Sequence, residues 1–169
     1  MPALNRSGGS GDVSPVWKTF GWVCGVAGNH DLFSERSDSR PQFSGNVHFL
    51  DGDRIRISEL QTSGVSGIIG RPTKPWRLIE MDFINELDSV VSRGTDFLVM
   101  HDGPNIPGTN SIGSDCIRRA VERLGPDVVI RGHAYWQSPL AELPGRVQVL
   151  NVDSRIVLMR AANCPAPNA

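Results

Sequence analysis

Cysteine is scarce in this chain: Cys24, Cys116 and Cys164 are the only three in 169 residues. The number is odd and no pair has Cys-x-x-Cys spacing, which excludes a disulfide framework and a cysteine-held zinc knot and leaves ordinary reduced thiols. Long apolar runs are missing as well, and nothing approaches the roughly 18 uninterrupted apolar residues of a membrane helix. Met1 to Val13 carries Gly and Ser around a single Arg and has no apolar centre, so no secretory leader is read there and the cytoplasm is the expected compartment. An excess of one charge is also lacking, with 17 Lys and Arg against 18 Asp and Glu and a formal net charge of -1. That balance gives no general pull toward nucleic acid or an acidic membrane, and neither is expected as a partner.

What is present is the composition of an ordinary globular domain, 39% hydrophobic and 21% charged, long enough to bury a core. Residues 1–15 read as a flexible lead-in, 16–160 as a single domain and 161–169 as a loose tail. Trp22 to Val26 is a short strand breaking into a loop, and residues 34–46 read as a polar surface loop. Val47 to Leu50 and Arg54 to Ile57 flank Asp51-Gly52-Asp53 like the arms of a hairpin. Val65 to Gly70 is a strand opening into a Pro-rich loop. Pro75 to Arg93 has apolar residues at Ile79, Phe83, Leu87 and Val90 or Val91, which predicts a helix stopped by Gly94.

Phe97 to Met100 predicts a strand that delivers His101. Ser111 to Leu124 predicts a second helix, capped by Ser111 or Ser114 and ended at Gly125-Pro126. Val128 to Ile130 predicts a strand ahead of His133, and two more strands follow at Val147 to Leu150 and Ile156 to Met159. Strands with at least two helices between them describe a layered α/β or α+β domain.

Of the four histidines, His30, His101 and His133 stand directly after predicted strands, in glycine-containing loops, where a layered sheet presents ligands at its edge. A divalent metal that polarises a phosphoryl oxygen takes imidazole, carboxylate and amide oxygen ligands. Asn29, His101 and His133 offer such a set from three loops, and Gly28 allows close backbone approach. His30 is then free to donate a proton to a leaving alkoxide, with Asp31 beside it to orient or tune the imidazole. One histidine after a strand is ordinarily a hydrogen-bonded loop residue; the case rests on the three together. His48 lies inside a strand without a motif and reads as structural.

Two arginines offer themselves to a substrate phosphate. Arg71 opens a basic, Pro-bounded loop, Arg71 to Arg77, that either clamps a phosphate, stacks a base, or is solvated with Trp76 packed on the core. Arg131 either approaches a phosphate or pairs with a surface carboxylate. Trp136 either stacks on substrate or fills the edge of the fold.

Gly28-Asn29-His30-Asp31, Val99 to Pro104 (VMHDGP) and Arg131 to Tyr135 (RGHAY) together resemble the last three motif blocks of the calcineurin-like metallophosphoesterases. Gln148 to Met159 is similar to the asparagine–valine segment that follows them. The resemblance implies a sandwich of two mixed β-sheets flanked by helices, with a two-metal site at the sheet edges. It implies that Asn29, His101 and His133 hold one divalent ion (Mn²⁺, Fe²⁺, Zn²⁺ or Ni²⁺), with His30 as the acid. The implied reaction is hydrolysis of a small phosphomonoester or phosphodiester by metal-activated water.

The chain also departs from that pattern. No Asp-x-His block precedes Trp22, and Gly11-Asp12 matches only the dipeptide of the block whose Asp bridges both metals, so Asp12 is a weakly supported ligand. Tyr135 stands where the family has the second His of Gly-His-x-His, and a neutral phenol is a poor substitute for imidazole. One metal site is therefore expected rather than two. Three readings stay open: a truncated chain, a one-metal hydrolase, or a non-catalytic binding or scaffold protein on the same fold. Tyr135 favours relaxed constraint on the first metal over a simple truncation.

Overall fold

The computed structural model describes residues 19–33, 43, 45–92 and 94–159. The expected lead-in and tail, Asp12, Cys164 and most of the polar 34–46 loop lie outside the described residues. Within them the chain runs through β1 (Val23–Gly25), β2 (Val47–Phe49), β3 (Asp53–Ile57), β4 (Leu60–Val65), β5 (Ile68–Ile69) and β6 (Arg77–Leu78) to α1 (Glu80–Val90). It continues through β7 (Phe97–Met100), α2 (Asp115–Leu124), β8 (Val128–Arg131), β9 (Leu140–Leu143) and β10 (Val147–Asn151). No helix among the described residues is long and apolar enough to cross a membrane.

Phe97-Leu98-Val99-Met100 and Val128-Val129-Ile130 are continuous apolar runs, the pattern of parallel strands covered on both faces. They lie side by side at the centre of a six-stranded sheet of order β3-β4-β7-β8-β10-β9. β4, β7, β8 and β10 run parallel, and the antiparallel β3 and β9 close the two edges. The register places Ser63, Leu98, Val129 and Val149 in one row across the sheet, and all four are fully buried.

Both helices cover that face. Phe83, Leu87 and Val90 of α1 and Ile117, Ala120 and Val121 of α2 join Leu98, Val129 and Val149 in one core. Each large apolar side chain buried there contributes about 1.5–3 kcal/mol. α2 is bounded as its sequence predicts: Ser114 Oγ accepts from Ile117 N at 3.4 Å, and Gly125 takes the left-handed conformation (φ 66°).

On the opposite face lies the parallel pair β1–β2. Gly64 makes its approach possible, because a Cβ there would collide with Leu50 and crowd Val26. The fold is thus the expected α/β architecture, a mixed sheet flanked by helices. Its second sheet is represented among the described residues by β1–β2.

Three expectations need correction. Val47 to Leu50 and Arg54 to Ile57 do not pair as a hairpin: β2 pairs with β1, and β3 pairs with β4. Gly52 does turn the chain (φ 70°), but it passes it from one layer to the other. The helix predicted over Pro75 to Arg93 shrinks to Glu80–Val90, because Arg77-Leu78 pairs in parallel with Ile68-Ile69. Ile156 to Met159 forms no strand and is exposed, whereas β9, which no sequence signal marks, closes the sheet edge.

The hairpin that does exist, β3–β4, turns at Ser58 (φ 47°) and Glu59 (φ 71°). Two consecutive positive φ angles define the tight turn that Asn-Gly fits best. Ser58→Asn with Glu59→Gly is therefore expected to raise stability by about 1 kcal/mol in urea unfolding. An unchanged midpoint would contradict this.

Candidate metal and phosphoester site

β4, β7, β8 and β10 end at the same edge of the sheet, and the loop after β1 is tied to it by the Gly67 N–H bond to Ala27 O (2.8 Å). The loop Ala27 to Asp31 is closed on itself. Gly28 N donates to Asp31 Oδ2 at 2.6 Å, and Asp31 N donates to Gly28 O at 3.1 Å. It is pinned at both ends, by Ser66 Oγ accepting from Ala27 N (3.0 Å) and Trp76 Nε1 donating to Asp31 O (2.9 Å). In this arrangement Asn29 is buried and His30 exposed at the turn. Asp31 closes the loop through its carboxylate rather than simply flanking His30.

His101, at the end of β7, places Nε2 3.0 Å from Asn29 Oδ1. Its ring lies where a side chain at residue 28 would be: a Cβ on Gly28 would come within 2.8 Å of Cε1. The His133 ring stands alongside, with 5.1 Å between centroids. Burial pushes the His101 imidazole below its ordinary pKa and the neighbouring His133 adds to this, while Asp31 and Asp102 oppose it. The neutral form so favoured is the one that can ligate a metal.

Three supports fix these rings. Asp102 accepts Gly103 N at 2.8 Å and Ile69 N at 3.2 Å through its two oxygens, anchoring the His101 loop to β5. Asn151, fully buried at the end of β10, donates to Ala134 O at 2.7 Å and so holds the His133 loop. Gly132 N bonds His101 O at 3.3 Å. His133 itself has a positive φ (67°), a conformation costing about 1–3 kcal/mol that concentrates at functional sites.

Asn29 Oδ1 and His101 Nε2 stand at hydrogen-bond distance, a spacing that is also compatible with both atoms meeting one divalent ion. Two donors each about 2.1 Å from a metal at about 90° stand about 3.0 Å apart, which is the separation of Asn29 Oδ1 and His101 Nε2. Among the described residues no three His, Cys, Asp or Glu side chains converge on a metal position; the candidate set is the two imidazoles of His101 and His133 with the Asn29 amide oxygen.

The remaining candidates fall elsewhere. Arg71 is exposed on the loop before β6. Arg131 is fully buried, so it neither lies open to a substrate phosphate nor pairs with a surface carboxylate. Its Nη1 donates to Ile112 O at 2.8 Å and its guanidinium lies 5.0 Å from the centroid of the Trp136 ring, while Nε and Nη2 have no partner. Burial lowers its pKa from the ordinary guanidinium value, opposed by Asp102 and Asp153. Trp136 packs in the core, its Nε1 donating to the same Ile112 carbonyl at 2.8 Å. Tyr135 is exposed beneath the guanidinium of Arg155, 4.8 Å from its ring centroid.

Sequence reasoning missed the supports Asp102 and Asn151. A polar residue ending the apolar run Val147 to Leu150 was the available signal for Asn151.

Fold and site together define an α/β protein that brings Asn29, His101 and His133 to the carboxyl edge of its sheet. Residues 7–136 match the profile of the calcineurin-like phosphoesterases, and the chain belongs to that family. Among curated proteins there is no match. The crystal structure of TT1561 of Thermus thermophilus is similar in fold, with a TM-score of 0.52 and 16% identity over 63% of this chain and 49% of that one. The chain thus spans about half the length of that relative.

Proposed function

We propose that this chain hydrolyses a small phosphomonoester or phosphodiester with the help of one divalent ion. The observation that carries the reading is the 3.0 Å approach of Asn29 Oδ1 to His101 Nε2 beside the His133 ring. Asn29, His101 and His133 would hold the ion, whether Mn²⁺, Fe²⁺, Zn²⁺ or Ni²⁺. An ion held there would polarise a phosphoryl oxygen and lower the pKa of water.

The chain's own residues do the rest. Gly28 leaves room for the His101 ring, burial disfavours the charged form of that ring, and Asp102 and Asn151 hold the two histidine loops. His30, exposed next to Asn29, donates its proton to the leaving alkoxide.

Tyr135 favours a second reading, a non-catalytic binding or scaffold protein. Its phenol stands in place of a ligand and lies against Arg155. That reading requires at most one tightly bound metal per chain and no turnover. Mn²⁺- or Ni²⁺-supported hydrolysis of para-nitrophenyl phosphate and its diester separates the two. The enzyme reading expects turnover that His30→Ala lowers by about 100-fold or more. Equal inactivity of wild type and variant with every metal leaves the binding reading.

A further inference from the structure

Beside the loop that carries Asn29 and His30 lies a cavity of about 430 Å³, walled by Asp51, Ser66, Lys74, Trp76, Arg77 and Glu86 among others. Its size falls within the range of about 300–1,000 Å³ typical of small-molecule sites. Two of its walls are the residues that pin the loop: Ser66 at Ala27 and Trp76 at Asp31. A group in the cavity therefore lies against the two residues that anchor the segment presenting Asn29 and His30.

Trp76 is held there under strain. Its φ of 53° is in a region that bulky residues avoid. The conformation is locked because Trp76 O accepts from Ile68 N at 3.0 Å and occupies the space a side chain at Gly67 would need. The indole is oriented by the edges of Phe33 and Phe49, each 5.8 Å away between centroids. A strained, fixed aromatic in the wall of a cavity is suited to stacking a planar group.

The charges of the wall decide what kind of group. Asp51 and Glu86 stand against Lys74 and Arg77, two of each sign, so the cavity has no net attraction for a further phosphate. Carboxylates accept from hydroxyl or amino groups, and the cations donate to ring nitrogens or carbonyls.

We propose that this cavity receives the organic part of the phosphoester, a neutral planar ring with hydroxyl or amino groups, set against Trp76. Assigning the ring to a substrate rests on the phosphoesterase reading, whereas its occupancy of the cavity does not. Adenosine, which carries no phosphate, is therefore the probe. The full chain is titrated while the Trp76 indole N–H resonance, identified through Trp76→Phe, is followed by NMR.

The expected result is a saturable shift with a dissociation constant in the millimolar range, weakened about threefold or more by Asp51→Asn. No shift up to about 10 mM adenosine, or an equal shift with non-planar cyclohexanol, overturns the proposal. An inactive protein that still binds adenosine at Trp76 supports the cavity and sinks the enzyme reading. An active protein whose Trp76 ignores adenosine overturns the cavity proposal alone.

Discussion

Gly28→Ala is expected to weaken Mn²⁺ binding about 10- to 100-fold while changing unfolding stability by less than about 1 kcal/mol. The substitution is a clean probe because Gly28 does not have a positive φ, so alanine meets no backbone penalty. The three heavy atoms nearest the new methyl all belong to the His101 ring, with Cε1 at 2.8 Å, Nδ1 at 3.0 Å and Nε2 at 3.1 Å. The ring must therefore swing away from Asn29, opening the 3.0 Å donor pair. Gly25→Ala is the control, since a Cβ there has nothing within 4 Å. Calorimetric Mn²⁺ titration paired with urea unfolding reads both effects. Unchanged affinity in Gly28→Ala would mean that His101 is not a ligand.

Trp136→Ala is expected to destabilise by about 3–5 kcal/mol, against about 1–2 kcal/mol for Trp136→Phe. The ring is 2% exposed, so truncation leaves a cavity the core cannot fill. It also forms the floor under the Arg131 guanidinium, whose Nε and Nη2 are buried without partners. Removing the aromatic face leaves that cation with the Ile112 carbonyl and the charges of Asp102 and Asp153, and a poorly compensated buried charge is costly. Phenylalanine keeps a face and most of the volume and loses only the Nε1 bond to Ile112 O. Denaturant unfolding of the two variants decides the matter: equal losses would show that the ring does not support Arg131.

Much of this molecule was legible in the sequence because local chemistry and tertiary structure agree there. Val128-Val129-Ile130 and Phe97 to Met100 could hardly be anything but central strands. Ser114 and Gly125 bound α2 by backbone rules that need no partner. The family, too, was readable from Gly28 to Asp31 with His101 and His133.

The errors lie where distant pairing overrides a local signal. Asp51-Gly52 has real turn chemistry, but which strands flank a turn and pair is decided by the rest of the sheet. Ile79 fits the helical period of Phe83 and Leu87, yet Arg77 and Leu78 find backbone partners in β5. Arg131 looked like a surface cation because its sequence neighbours say nothing of register. It sits in a row with Met100 and Asn151, on the face covered by the helices. Asp102 and Asn151 escaped notice for the same reason, since their role is fixed by loops that arrive from elsewhere in the chain.

The central claim is that Asn29, His101 and His133 together hold one metal ion. Calorimetric titration of the full chain with Mn²⁺, run beside His101→Ala, tests it most directly. The expected result is saturation at one ion per chain with affinity lowered about 10-fold or more in the variant. Absence of saturable binding, or the same affinity with and without the His101 imidazole, would contradict it.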